Sequence, residues 1–313
     1  MKTILVTGAA GFIGSHLCAK LLEDGFQVIG VDNLFLGDLK NIEPLRKYEF
    51  FHWRFMNVYC LDYYFDFLDK YNIDTVFHLA ANSDISLSNA EIEHKNTFLT
   101  TYNILEYCRK KGIKEILFSS SGAVYGETTG YIPETYGPLL PISHYAATKL
   151  ASEAYICAYA SMYDIKSWIL RFPNVVGGHA THGAIFDFIN RIRENPKVLD
   201  VLGDGTQKKP YLYIKDLIGA IDFIWKNASE NVNLYNIAGM GETTVAEIAE
   251  SVIKEMKTDT IINYKGGDRG WKGDVPQYRC DTKKLFDLGW KPQYDSFNSV
   301  INAIKDIINE TET

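Results

Sequence analysis

The first half of the chain alternates short β-branched apolar runs with longer stretches whose apolar positions recur every three or four residues. The runs Thr3–Thr7, Gln27–Val31, Thr75–Leu79, Glu115–Ser119 and Lys166–Arg171 predict strands. Gly14–Glu23, Asn96–Lys110 and Ala146–Met162 predict helices. Nearly continuous apolar strands separated by helices predict an α/β domain, a parallel sheet covered on both faces. After about Pro173 the rhythm changes, and glycine-rich loops at Gly177-Gly178, Gly203–Gly205 and Gly266-Gly267 separate shorter elements. The expected division is therefore residues 1–173 and a smaller α/β domain at 174–313. A segment within 210–240, centred on Asn233–Ile237, is expected to return to the main sheet.

Composition narrows the classes. At 313 residues and 46% hydrophobic, the chain is long enough for two packed cores. A net charge of −7 argues against a nucleic-acid surface, which needs clustered Lys and Arg. No apolar run approaches the roughly 20 residues of a membrane span, and the opening run is too short for a signal peptide. Cys18, Cys60, Cys108, Cys157 and Cys280 are odd in number and far apart, which predicts reduced thiols and a cytoplasmic setting. His78, His179 and His182 lack metal-ligand spacing and read as structural or pocket-lining, so no metal is expected.

Gly8-Ala9-Ala10-Gly11-Phe12-Ile13-Gly14 follows the first strand and opens the first helix. Gly8 suits a tight turn, Gly11 lets backbone approach a pyrophosphate, and Gly14 lets helix and strand pack closely. The helix start offers amide groups and dipole charge to phosphates. Glycines at a strand-to-helix turn can also be purely structural. The second strand adds weight, because it ends in Asp32, 18 residues after Gly14. A carboxylate there accepts from ribose hydroxyls and repels the extra phosphate of NADP, and neither Leu34 nor Phe35 offsets that charge. The pattern is that of a Rossmann-type, doubly wound fold, with NAD as the expected cofactor.

Tyr145 and Lys149 stand four residues apart, on one face of a predicted helix. An ammonium beside a phenol, helped by a positively charged nicotinamide, would lower the phenol pKa toward the range of a useful base. Ser121, after the apolar strand at Glu115–Ser119, falls at the carboxyl edge of the sheet, where open α/β folds bind ligands.

With these residues in hand, the chain resembles the NAD-dependent nucleotide-sugar epimerase/dehydratase family of extended short-chain dehydrogenases/reductases, of the UDP-glucose 4-epimerase kind. The resemblance runs through the glycine loop, Val31-Asp32-Asn33-Leu34, Asn57-Val58, His78-Leu79-Ala80-Ala81 and Asn96. It continues through Ser119–Gly126, Tyr145/Lys149, Arg171-Phe172-Pro173-Asn174, Gly203-Asp204-Gly205 and Leu288–Pro292. It implies cofactor contacts at Gly8, Gly11, Phe12, Ile13, Gly14, Asp32 and Asn33, at Asn57 and Val58 bordering the adenine, at Leu79, Ala80 and Ala81 along the channel, and at Tyr145, Lys149 and Pro173. It implies substrate contacts at Ser83, Ser121, Gly122, Tyr145 and Asn174, and at Gly183 where a helix over Ala184–Arg193 begins. The catalytic set is Tyr145, Lys149 and Ser121.

The family's shared first step removes a sugar hydroxyl proton, usually at C4, and passes hydride to NAD. Its dehydratases place Asp-Glu directly after the catalytic hydroxyl residue; here those positions are Gly122 and Ala123, which disfavours dehydration. A 4-epimerase is the leading expectation, and a C4 dehydrogenase releasing the keto sugar is the alternative. A non-catalytic NAD-sensing module is the distant one, since Tyr145, Lys149 and Ser121 are all present. The chain departs from the family at His144, usually proline, at Leu99, often glycine, and at Gln207–Tyr211, where Lys209 stands for the usual arginine. Arg269 is a candidate to supply that arginine. These departures leave UDP or GDP, and a hexose or a heptose, open. The stretches Asn96–Lys110 and Ala146–Met162 are expected to pair across a homodimer axis, as in the family.

Overall fold

The computed structural model describes residues 1–84, 88–267 and 279–310. Arg269 lies outside the described residues. The chain forms two compact units, and it passes between them more than once. The first comprises Met1–Val124, Ser143–Arg171 and Ile221–Tyr235; the second comprises Tyr125–Ile142, Phe172–Ala220 and Asn236–Thr313.

A seven-stranded parallel sheet is built from β1 (Thr3–Thr7), β2 (Gln27–Asp32), β3 (Phe51–Phe55), β4 (Thr75–His78), β5 (Glu115–Ser121), β6 (Lys166–Phe172) and β7 (Val232–Asn236). Their order is β7-β6-β5-β4-β1-β2-β3. The order reverses at β1, which pairs with β2 on one side and β4 on the other. In such sheets ligands bind at the carboxyl edge beside the reversal. The central strands have no solvent-exposed face, so every residue of β1 is buried. The edge strand β3 is half-exposed, and this weak pattern explains why it was not among the expected strands.

Helix α1 (Phe12–Glu23) crosses from β1 to β2. Helix α2 (Thr100–Lys111) buries Ile104, Leu105, Tyr107 and Cys108 and ends on Gly112, whose φ of 71° closes the last turn. Three basic residues in its last turn suit the helix dipole. Helix α3 (His144–Tyr163) starts at Ser143, whose hydroxyl accepts from the Ala146 amide. The single helix expected over Asn96–Lys110 is not continuous. Before α2 stand a one-turn helix, Ala90–Glu93, and a π-helical turn, His94–Leu99, so Asn96 and Leu99 both lie in the π turn. One core of this unit gathers Leu5, Ile29, Val76, Ile104, Ile116, Phe118, Ile156 and Ile169, whose strand members alternate along the chain and so share one face of the sheet.

The second unit has its own core, in which Ile185, Phe188, Ile189 and Ile192 of the helix Ala184–Glu194 meet Ile248, Val252, Val300 and Ile304. Its short strand Asn174–Val176 pairs with Tyr211–Tyr213. Among the described residues no helix is long and apolar enough to cross a membrane.

Candidate active site

The glycine loop is shaped by contacts that side chains would forbid. A Cβ on Gly14 would lie 1.9 Å from the Gly8 carbonyl oxygen, so α1 packs on the loop only with glycine there. Gly8 has φ +74°, and its Cβ would meet the Ala80 nitrogen at 2.9 Å. This brings the loop directly against the chain leaving β4. Gly11 caps α1 with no side-chain hydrogen bond, so the first-turn amides at Phe12, Ile13 and Gly14 face the positive end of the helix.

Asp32 ends β2 as a buried carboxylate. Its oxygens accept from the amides of Ala10 at 3.0 Å and Leu34 at 2.7 Å. Burial pushes its pKa up, and these amides oppose the shift. Asn33 accepts from the Phe35 amide at 3.0 Å. The Met56 amide donates to the Asp32 carbonyl, which sets Asn57 and the buried Val58 beside the end of β2. A close-approach glycine loop, an uncapped helix start and a carboxylate at the next strand end together fit a dinucleotide.

Beyond β4, the Leu79 and Ala80 amides both donate to the Thr7 hydroxyl at 3.2 Å. Counting protons fixes the rest of this buried chain. The Thr101 hydroxyl donates to the Thr97 carbonyl and accepts from Ser152, so it must also accept from His78 Nε2. His78 Nδ1 then accepts from the Thr7 hydroxyl at 2.7 Å. Burial, with the Lys149 charge adding to it, pushes His78 down to about 3 and keeps it neutral. Of its two expected roles, His78 takes the structural one.

Tyr145, Lys149 and Ser121 come together at the ends of α3 and β5. Ser121 is among the groups that act on the Tyr145 phenol and draws its pKa down. Lys149, 2% exposed, donates to the Ser119 carbonyl at 2.6 Å, and its ammonium lies 5.9 Å from the Tyr145 ring centre. The ammonium does not depress the phenol here. Burial pushes Tyr145 up to about 12, against the pull of Ser121. Burial likewise drives Lys149 down to about 7, opposed by the carboxylates of Glu93 and Glu153. Gly122 and Ala123 follow, and the Ala123 amide donates to Ser121 Oγ at 3.2 Å.

Two buried carboxylates here escaped the sequence reading. Glu153 takes the Ser120 hydroxyl and a two-pronged contact from Arg171, at 2.9 and 2.5 Å, so the serine strand end is held from α3. The second, Glu93, is wholly buried. A glutamate on a helix reads as a solvated charge, and only its tertiary partners show otherwise. Of the expected substrate residues in this unit, Ser83 is exposed beside Asn82.

In the second unit, Pro173 is buried and Asn174 is exposed at the start of its strand, paired with Tyr211. Lys209 stands two residues before Tyr211, half-buried. Gly183, φ +102°, caps the helix that begins at Ala184 with no side-chain hydrogen bond. His179 donates its amide to Glu310, at 3.1 and 2.9 Å to the two oxygens. Among the described residues no group of three His, Cys, Asp or Glu side chains is placed to hold a metal.

This fold and this helix–strand constellation define an NAD-dependent oxidoreductase of the short-chain type. Comparison with known proteins narrows the class: the model of the NAD dependent epimerase/dehydratase family matches residues 4–238. The chain belongs to that family and is an enzyme acting on nucleotide sugars, a 4-epimerase or a dehydratase. It is 35% identical to "Putative UDP-glucose 4-epimerase" of Methanocaldococcus jannaschii, across 99% of this chain and 100% of that one. Among solved structures it is similar to UDP-glucose 4-epimerase of Thermotoga maritima with UDP-glucose (29% identity, TM-score 0.89, covering 99% and 100% of the two chains). It is also similar to UDP-glucuronic acid 4-epimerase of Bacillus cereus in complex with NAD (28% identity, TM-score 0.86, covering 99% and 100%).

Proposed function

We propose that this enzyme oxidises C4 of a nucleotide-diphosphate sugar with bound NAD and returns the hydride to give the 4-epimer. The observation that carries this reading is the convergence of Tyr145, Lys149 and Ser121 at the sheet's carboxyl edge, followed by Gly122-Ala123 where elimination of water would need a carboxyl pair. When bound, NAD supplies the hydride acceptor and the positive charge of its oxidised ring. Gly8, Gly11, the amides of Phe12, Ile13 and Gly14, Asp32, Asn33, Asn57, Val58, Leu79, Ala80, Ala81 and Pro173 would hold it. Tyr145 takes the C4 hydroxyl proton, Ser121 orients that hydroxyl and passes the proton, and Lys149 binds cofactor hydroxyls while keeping positive charge beside the phenol. The small side chains at 122 and 123 leave room for the keto sugar to turn.

Asn174, the amides at Gly183 and the Lys209 ammonium are suited to a sugar-linked diphosphate, whether uridine or guanosine carries it. The first unit is then the cofactor unit and the second the sugar-nucleotide unit. Tyr102, Tyr155 and Met162 lie exposed on α2 and α3, which supports pairing of two copies through these helices. Free cysteines at Cys18, Cys108 and Cys280 suit a reducing, cytoplasmic setting.

The test is incubation with UDP- and GDP-linked hexoses and heptoses, followed by separation of products. A 4-epimer with no net NADH supports the proposal. A 4-keto sugar with stoichiometric NADH makes the enzyme a C4 dehydrogenase, and a 4-keto-6-deoxy sugar would overturn the reading of Gly122-Ala123.

A further inference from the structure

Glu93 closes the one-turn helix ahead of the π turn and has no solvent-exposed surface. Its Oε1 accepts from Asn82 Nδ2 at 2.7 Å and its Oε2 from the Thr97 hydroxyl at 3.0 Å. The Thr97 oxygen accepts from the Asn82 amide at 3.3 Å, so its own proton is free for Glu93. Two donors on two oxygens is the arrangement of an ionised carboxylate. Both donors are neutral, and burying an anion is costly.

The π turn puts Glu93 and Thr97 on the same buried side, facing the chain that leaves β4. Asn82 is held on its other side by Asp84, whose amide donates to Asn82 Oδ1 at 3.2 Å and whose carbonyl accepts from Nδ2 at 3.2 Å. Glu93 thereby fixes residues 82–84, which include Ser83. π turns recur at functional sites because they shift side-chain register by one residue.

The one-turn helix and the π turn are packed by α3, by α2 and by the 3-10 turn Val58–Tyr64. The ionisable groups these bring are Tyr145, Lys149, Glu153 and Tyr155 from α3, Tyr102 from α2, and Tyr59 and Cys60 from the 3-10 turn. On its own segment stand Glu91, His94 and Lys95, all exposed, and Asp84 lies in the loop. Of these, Tyr145 and Lys149 are the two of the catalytic set, on the helix packed against both turns, and a negative charge at Glu93 acts on each in the direction that keeps its proton.

We propose that Glu93 is a positioning residue of the hydride-transfer site, a buried anion that holds the Asn82–Asp84 loop and places its charge on the turn packed against the helix that carries Tyr145 and Lys149. This rests on the proposed C4 oxidation. A negative charge makes the phenol harder to ionise and the ammonium harder to lose. It works against Tyr145 as a base at low pH and keeps Lys149 charged at high pH, so it places the working range of the pair.

The test is the pH dependence of single-turnover NAD reduction in the NAD-loaded enzyme with its sugar nucleotide, for wild type, Glu93→Gln and Glu93→Asp. Removing the charge moves both limbs of the profile to lower pH, by about half a unit or more. At the acid limb that is a rate about threefold above wild type, relative to each variant's own plateau. Glu93→Asp keeps the charge and leaves the limbs in place, while raising KM through the loosened Asn82 contact. If Glu93→Gln does not fold, Glu93→Leu removes the charge with an apolar side chain of similar bulk and carries the same expectation. Limbs unmoved in the charge-free variant, with only a lower plateau, would overturn the proposal. Wild type that reduces no NAD with any sugar nucleotide would instead overturn the C4 oxidation on which it rests.

Discussion

Lys149 donates a 2.6 Å hydrogen bond to the carbonyl oxygen of Ser119, two residues ahead of Ser121. One buried lysine therefore ties the second turn of α3 to the strand end that presents the serine. The same strand end is held again one residue on, where Ser120 donates to Glu153, itself clamped by Arg171. Tyr145, on the same helix as Lys149 and Glu153, is placed by the same contacts.

The burial of Lys149 has a measurable consequence. Its folded pKa, about 7, lies below the value near 10.4 of an exposed lysine. Between these values the unfolded chain holds a proton that the folded one has lost, so the lysine makes stability rise with pH. The difference in unfolding free energy between wild type and Lys149→Met, by urea denaturation of cofactor-free protein, should grow by about 1.4 kcal/mol per pH unit from pH 7 to pH 10. It should be flat below pH 7.

His78 acts with the same sign in a lower window. Its pKa is depressed to about 3 from an ordinary value of 6.5, so its contribution is complete above pH 6.5 and is lost as pH falls toward 3. Its ring signals should not titrate between pH 5 and 8 in an NMR experiment. His78→Phe should destabilise at pH 7 by roughly 2 kcal/mol, because Thr7 and Thr101 each lose a buried partner, and should be less sensitive to acid than wild type.

Much of this was legible in the chain itself. β1 begins and ends where its apolar run does, and Asp32, Tyr145 and Lys149 stand out because their chemistry depends on local spacing: a strand end, or two positions one helical turn apart. What was hidden depends on partners distant in sequence. Glu93 is 11 residues from Asn82, and Glu153 is 18 from Arg171 and 33 from Ser120. The π turn was hidden because a sixth residue in a turn is favoured by what its side chains meet. The segment Tyr125–Ile142 joins the second unit through Asn236, which accepts from the Tyr125 hydroxyl and donates to the Ile132 carbonyl.

Cofactor choice turns on Asp32. Asp32→Ala should reduce NAD affinity and lower the ratio of NAD to NADP affinity by about tenfold or more, since it removes both a ribose acceptor and a charge facing the extra phosphate. Isothermal titration with both dinucleotides checks this.

The glycine loop predicts graded steric damage. Gly14→Ala would bring a Cβ within 1.9 Å of the Gly8 oxygen, so α1 must move off the loop. It should lose several kcal/mol of stability and most NAD binding. Gly11→Ala meets the same oxygen at 3.2 Å and should be milder, by cofactor-dependent thermal shift.

The most direct test of the account is single-turnover reduction of bound NAD by the sugar nucleotide in Tyr145→Phe. The ring remains to fill its place beside Lys149, so NAD should stay bound. Loss of the base should slow the hydride step by roughly 10²–10⁴-fold. If the variant reduces bound NAD as fast as wild type, another group removes the proton, and the roles given to Tyr145, Ser121 and Lys149 are wrong.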